Sequence, residues 1–458
     1  FDYDKIEAYT IKISRDAELD IEDDVTSSLM EKLAVSLKNR KKGDPVRFVH
    51  DAKIPTDLKR FLVKKLGMQA DDTVVPGGRY HNFKDYIDFP KIGSSQLRYK
   101  KMSPLDHPIL HDKKSIFDSI RDQDILLSYP YQSYHYIIDL LREAAIDPKV
   151  SSIKITIYRL VSRRSKVIHS LINAARNGKN VTVIVELKAR FDEESNMNYA
   201  DMLQDEGVNV IFGAPGLKVD TKLLLIKRKE HGKSVKYAHI GTGNFHEITA
   251  NIYCDHTLLT VDTRLTNEVN KLFKFFKDNY KRYRFRHLLV APFNARRQFN
   301  KLINQEIEFA KKGEEAEITI KVNNLQDTDL IAKLYEASGA GVKIKLIIRG
   351  INRAICGVEG MSENIEGRSI IDQKLEHARI CWFRHGGNEK LLIGSADWMT
   401  RNLDKRVEVV TPIYDKNIQI ILKKVLEIQW NVNVKSRVYD SNNLNLYLKN
   451  EEPKVRSQ

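Results

Sequence analysis

The chain has 458 residues, 42% hydrophobic and 30% charged, which excludes a largely disordered protein and supplies apolar material for more than one core. A single core stops growing at roughly 250–300 residues, so two or three domains are expected. The 76 Lys and Arg against 61 Asp and Glu leave a charge of +15, which attracts polyanions such as nucleic acid, anionic membrane or inorganic polyphosphate. No apolar run approaches the ~18 residues of a membrane span, and Cys254, Cys356 and Cys381 lack metal-ligand spacing and argue against a disulfide framework.

The opening Phe1-Asp2-Tyr3-Asp4 has no leader character and no initiator Met, so the chain reads as a piece of a longer protein. Residues 1–115 mix helical stretches such as Thr26–Arg40 with the turn-rich run Pro76-Gly77-Gly78-Arg79-Tyr80-His81-Asn82-Phe83, and are expected to form a smaller α+β unit. The basic run Lys38-Asn39-Arg40-Lys41-Lys42 could track a polyanion, though such runs are usually solvated helix ends. From about residue 122 strands alternate with helices, beginning with a helix that Ser133 can cap and that carries Ile137, Leu140, Leu141 and Ala144. This grammar predicts α/β domains with a largely parallel sheet.

That grammar occurs twice. Strand 153–158, helix 167–176 and strand 181–186 are matched by strand 318–322, helix 329–338 and strand 342–348. An Arg follows a strand in each copy, Arg159 and Arg190 in one and Arg349 in the other. Planar guanidinium groups at the ends of strands of an open sheet are phosphate-clamp candidates, although most arginines are simply surface residues. Each copy then carries an X-x-basic element opening another strand, Asp220-Thr221-Lys222 and His377-Ala378-Arg379. A turn of small residues follows each, Gly241-Thr242-Gly243-Asn244 and Gly394-Ser395-Ala396-Asp397. The duplication predicts a pseudo-twofold pair with a site between the halves; two ordinary α/β domains built from generic grammar would look similar.

His377 and Arg379 alternate along one predicted strand, pairing a proton donor or acceptor with a phosphate binder. The turns containing Asn244 and Ser395 offer backbone amides and a hydroxyl to phosphate oxygens, and neither is a Walker A loop, because no Gly-Lys-Ser/Thr follows. The acidic stretch Asp192-Glu193-Glu194 could hold Mg²⁺ or be a solvated loop.

These residues carry a family resemblance. Ile157-Tyr158-Arg159, Val185-Glu186-Leu187-Lys188-Ala189-Arg190-Phe191-Asp192-Glu193-Glu194, Ala238-His239-Ile240-Gly241-Thr242-Gly243-Asn244, Leu375-Glu376-His377-Ala378-Arg379, Gly394-Ser395-Ala396-Asp397-Trp398-Met399 and Arg406-Val407-Glu408 resemble bacterial polyphosphate kinase over nearly the whole chain. The resemblance implies two tandem phospholipase-D-like α/β domains, 116–286 and 287–458, preceded by the remainder of an α+β head domain, 1–115. It implies reversible transfer of the terminal phosphate of ATP to inorganic polyphosphate with Mg²⁺ through a phosphohistidine. Tyr253, Arg349 and His377 match nucleotide-binding positions. Arg159 and Arg190 match a metal-associated pair, read here as phosphate grips because arginine cannot ligate a cation. A cytoplasmic homo-oligomer is expected, with ATP, ADP and polyphosphate as partners, nucleic acid not expected and peripheral membrane association left open.

One departure matters. The family has His-x-Lys where this chain has Asp220-Thr221-Lys222, so Asp220 occupies the phosphohistidine position; Arg349-Gly350-Ile351-Asn352-Arg353 departs from the usual Cys-containing continuation while keeping Arg349. Asp220 could itself be the nucleophile, His377 could take over, or the chain could bind polyphosphate or nucleic acid without catalysis. A phosphodiesterase of the phospholipase-D type would want two histidines, and only His377 is in place.

Overall fold

The computed structural model describes residues 4–15, 45–68, 73–81, 86, 89–158, 165–187, 193–442, 444–449 and 453–458. They divide into residues 1–100 and residues 101–458. In the first unit, β1 (Ile11–Arg15) pairs antiparallel with β2 (Pro45–Asp51), and β2 pairs parallel with β3 (Thr73–Gly77). Helix α1 (Thr56–Lys65) follows β2, and Phe48 is buried. This is the α+β character expected. The helix read over Thr26–Arg40, the basic run Lys38–Lys42, Asn82 and Phe83 lie outside the described residues.

The second unit holds both α/β halves. In the first half α2 (Ile116–Asp122), β4 (Ile125–Tyr129) and α3 (His135–Ile146) lead into β5 (Val150–Ile157), α4 (Lys166–Arg176) and β6 (Asn180–Val185). Then come α5 (Glu193–Asp205), β7 (Asn209–Phe212), β8 (Lys218–Val219), β9 (Leu223–Glu230), β10 (Lys233–Gly241), β11 (Tyr253–Thr260) and α6 (Thr263–Lys277). Ser133 bonds the His135 N–H at 3.2 Å, but α3 starts at His135 with Tyr134 as its cap, so the expected cap sits one residue too early. Helix α4 is capped by Ser165, which accepts the Ile168 N–H, and stops before Gly178, whose φ of 76° suits glycine.

The second half repeats the plan. β12 (Leu289–Ala291), α7 (Ala295–Lys311), β13 (Glu317–Val322), α8 (Thr328–Gly339), β14 (Lys343–Ile348) and β15 (Ile365–Ile370) come first. They are followed by β16 (Leu375–Glu376), β17 (Arg379–Phe383), β18 (Lys390–Gly394), α9 (Thr400–Asp404), β19 (Arg406–Pro412), α10 (Lys416–Trp430) and β20 (Ser436–Tyr439).

The expectation of largely parallel sheets is corrected. β5, β6 and β7 are parallel, as are β13, β14 and β15, but β9, β10, β11 and β4 pair antiparallel, and so do β17, β18, β19 and β12. The cause is local. His231 and Gly232, at φ 47° and 76°, form a two-residue turn between β9 and β10, and a turn that short can join only antiparallel strands.

Two cross-pairings lock the halves together. β8 of the first half pairs with β19 of the second, Lys218 opposite Arg406, and β16 of the second pairs with β11 of the first, Leu375 opposite Tyr253. One apolar cluster runs through both halves, joining Leu225, Leu258, Phe273 and Phe276 to Ile380, Ile393, Val409, Leu422 and Leu426. Burying that surface, worth about 25 cal/mol per Å², makes each half depend on the other.

Candidate active site

Both short exchanged strands end in a break, and the breaks carry the two X-x-basic elements. The N–H groups of His377 and Ala378 both donate to the Cys254 carbonyl, and the Asp220 N–H donates to that of Val407, so each motif is pinned to the opposite half. The expected single strand through His377 and Arg379 is therefore interrupted at 377–378. The side chains meet nonetheless, with Arg379 Nη1 lying 3.2 Å from His377 Nε2.

His377 Nδ1 lies 2.8 and 2.9 Å from the carboxylate oxygens of Asp255, a buried residue on β11 of the other half. A carboxylate only accepts, so Nδ1 carries the hydrogen and Nε2 keeps its lone pair, toward which Arg379 Nη1 donates at 3.2 Å. Burial lowers the His377 pKa and Arg379 adds to the effect, with Asp255 opposing, so the imidazole is neutral near pH 7. Asp255 is held by the Thr242 hydroxyl at 2.5 Å. A Cβ at Gly243 would strike the Asp255 carboxylate, so this glycine permits close approach to the acid itself. Arg379 grips Asp397 through Nε and Nη2 at 3.2 and 3.1 Å, and Asp397 also accepts the Asn323 N–H at 2.8 Å.

The first-half motif is bound differently. Asp220 lies 2.5 Å from Lys222 Nζ through Oδ1 and 2.6 Å from Arg406 Nη1 of β19 through Oδ2, so both oxygens are ion-paired. Burial opposes its charge, but Lys222 and Arg406 hold its pKa at about 2. On the same strand as Arg406, Glu408 is buried; its Oε1 accepts Asn402 Nδ2 at 2.7 Å and its Oε2 has no hydrogen bond among the described residues.

Glu408 is the counterpart of Asp255. Each lies eleven residues beyond the last residue of its turn, Asp397 and Asn244. The N–H following each acid donates to the turn's hydroxyl, His256 N–H to Thr242 and Val409 N–H to Ser395. Glu408 thus stands where it would orient an imidazole at position 220 as Asp255 orients His377. With Asp220 there instead, two carboxyls share one pocket, and burial together with the Asp220 charge pushes Glu408 up to about 8.

A pH dependence follows. Glu408 takes up its proton far above the ordinary 4.5, so between those values the folded chain holds more protons than the unfolded one. Its contribution is complete below 4.5 and is lost as pH rises through about 8. Thermal melts from about pH 5 to about pH 9 should show an alkaline decline that Glu408→Gln flattens, raising the melting temperature at the top of that range by on the order of a few degrees. Identical slopes for the two proteins would contradict this.

The remaining expected residues divide. Tyr253 lies with its ring 5.1 Å from that of His377. Arg349 donates from Nε to Asn323 Oδ1 and the Glu376 carbonyl, leaving its terminal amino groups without a hydrogen bond among the described residues. Asn244 has a buried Oδ1 with no hydrogen bond among the described residues, an acceptor in the turn. The Ser395 hydroxyl is engaged with the backbone of Val409. Arg159, Arg190 and Asp192 lie outside the described residues. Among the described residues no cluster of three metal-ligating side chains occurs, and the site carboxylates Asp220, Asp255 and Asp397 are committed to cations or to His377, so these residues do not fit a resident Mg²⁺.

The pairings of Asp255 with His377 and of Arg406 with Asp220 escape sequence reasoning because the partners lie 122 and 186 residues apart. The available signal was a strand carboxylate at the same offset from each turn, Asp255 in Tyr253–Thr260 and Glu408 in Arg406–Pro412.

Three family domains match the chain: polyphosphate kinase middle domain over residues 1–89, C-terminal domain 1 over 115–282 and C-terminal domain 2 over 288–458. The chain is 48% identical to polyphosphate kinase of Vibrio vulnificus over 459 residues, covering 100% of this chain and 65% of that protein. It is 47% identical to that of Escherichia coli over 462 residues, covering 100% and 67%. The crystal structure of polyphosphate kinase from Porphyromonas gingivalis superimposes with a TM-score of 0.84 at 36% identity, covering 99% of this chain and 66% of that one. The chain thus spans about two thirds of the length of the relatives it matches.

Proposed function

Because the chain belongs to the polyphosphate kinase family, we propose that it forms the phosphoryl-transfer region of an ATP:polyphosphate phosphotransferase in which the transfer step is impaired at Asp220. The observation that carries the proposal is the reciprocal pairing of motifs across the halves: His377 with Asp255 and Arg379 on one side, Asp220 with Lys222 and Arg406 on the other.

Phosphoryl transfer needs positioning and charge stabilisation more than covalent machinery. Tyr253, Arg349 and the neutral His377 form one wall, suited to a nucleotide's base and phosphates. Lys222 and Arg379 supply positive charge where the equatorial oxygens of a moving phosphoryl group would lie. Arg159 and Arg190 are proposed to grip further phosphates, and Mg²⁺ to arrive with the nucleotide.

At position 220 the carboxylate can attack only after releasing two cations, and its charge repels the incoming phosphate. That geometry favours a second reading of the chain as it stands, a polyphosphate binder with slow or absent transfer. A homo-oligomer and a cytoplasmic location belong to the proposal on the strength of the resemblance. The three cysteines are free and buried, and no helix among the described residues is long and apolar enough to cross a membrane.

Binding separates this reading from that of an ordinary α/β pair. Polyphosphate affinity should fall steeply with salt through counterion release, and Arg349→Ala should weaken it by about 1–3 kcal/mol, the range for a charge-assisted hydrogen bond. Filter binding with labelled long-chain polyphosphate is the check; salt-independent binding that Arg349→Ala leaves unchanged would remove the assignment.

A further inference from the structure

Away from the cleft, a cavity of about 250 Å³ opens on the first-half sheet beside α6, lined by Lys154, Lys227, Lys277, Asn180, Thr182 and Asn209. Among the described residues its lining holds no carboxylate. Neither Lys154, Lys227 nor Lys277 has a salt bridge among the described residues, and Lys274 lies one turn before Lys277 on α6. Burial and the charges of neighbouring lysines lower the pKa of both Lys154 and Lys227, with no acid offsetting them. Concentrated like charge of this kind destabilises the empty chain unless an anion neutralises it.

The second half shows what the same place looks like when its charges are satisfied. The corresponding cavity, of about 560 Å³ between β13, β14, β17 and α10, presents Trp382 and Trp430, and its lysines are paired: Lys345 with Glu317 at 2.9 Å and Lys424 with Glu427 at 2.9 Å. Among the described residues, the lysines of the first-half cavity thus lack the acidic partners that those of its second-half counterpart have.

We propose that the lysine-lined cavity is an accessory anion site holding a short stretch of linear oligophosphate outside the catalytic cleft. Its lining offers ammonium, amide and hydroxyl donors, which suit phosphoryl oxygens. Its aromatic residue, Phe273, is buried and leaves no face on which a base could stack, which disfavours a nucleotide or single-stranded nucleic acid. The site uses none of the cleft residues, so it stands or falls apart from the transfer chemistry.

The test is equilibrium dialysis of tripolyphosphate against the full-length protein carrying this sequence. Two classes of site are expected. Lys154→Met combined with Lys227→Met should weaken one class by at least about tenfold while sparing the other, and Arg349→Ala should do the reverse. The double variant should melt no lower than the parent in the absence of anion, because it removes repulsion. Should it fail to fold, the exposed Lys277→Ala is expected to weaken the same class several-fold. Unchanged tripolyphosphate binding in a folded double variant, and in Lys277→Ala, would overturn the proposal. So would orthophosphate binding as tightly as tripolyphosphate, or an oligodeoxynucleotide displacing tripolyphosphate from this class at equal concentration.

Discussion

Asp220→His in the full-length protein is expected to raise transfer of the ATP terminal phosphate to polyphosphate by at least about 10²-fold, the scale on which a missing nucleophile is felt. The substitution exchanges a carboxylate held at about 2 by Lys222 and Arg406 for an imidazole that attacks when neutral. The pocket is prepared for it. Glu408 would then face a ring nitrogen in place of a second carboxylate, its pKa would fall toward the ordinary range, and it would fix the imidazole's tautomer as Asp255 fixes that of His377. Arg406 would be released to meet phosphate oxygens. A rate equal to that of the parent chain, with polyphosphate binding intact, would show that position 220 is not where the chain is limited.

In that active background, Asp255→Asn is expected to lower the transfer rate by on the order of 10²–10⁴-fold, while polyphosphate binding changes little. An amide can donate to His377 Nδ1, which would leave the hydrogen on Nε2 and set it against Arg379 Nη1, the group that donates to this nitrogen in the parent chain. Because the residue acts through His377, the pH profile is the decisive readout. The carboxylate raises the His377 pKa against burial, so its loss should move the corresponding limb of the rate profile to lower pH. A drop in rate without any movement of that limb would assign Asp255 a purely structural role.

The local plan of this fold is written in local patterns. The segments 153–158, 167–176 and 181–186, and their counterparts 318–322, 329–338 and 342–348, coincide with β5, α4, β6, β13, α8 and β14 to within a few residues, because alternation and helical periodicity depend on near neighbours. Sheet direction was less legible, since the His231-Gly232 turn that forces β9 and β10 antiparallel is only two residues long. The site was legible as a set of motifs but not as pairs. Nothing near His377 announces Asp255, and nothing near Asp220 announces Arg406 or Glu408, since those contacts arise from β16 joining β11 and β8 joining β19 across the halves. The same is true of Lys154 and Lys227, brought together only by the pairing of β5 with β9.

The most direct test is to incubate the unmodified chain and Asp220→His with terminally labelled ATP and Mg²⁺, then challenge any protein-bound label with acid, base and hydroxylamine. The geometry predicts acid-labile, base-stable label on the Asp220→His protein and none on the unmodified chain. Hydroxylamine-sensitive label on the unmodified chain would reveal an aspartyl phosphate at Asp220, and acid-labile, base-stable label there would put the phosphoryl group on a histidine already present, such as His377; either result would contradict impairment at position 220.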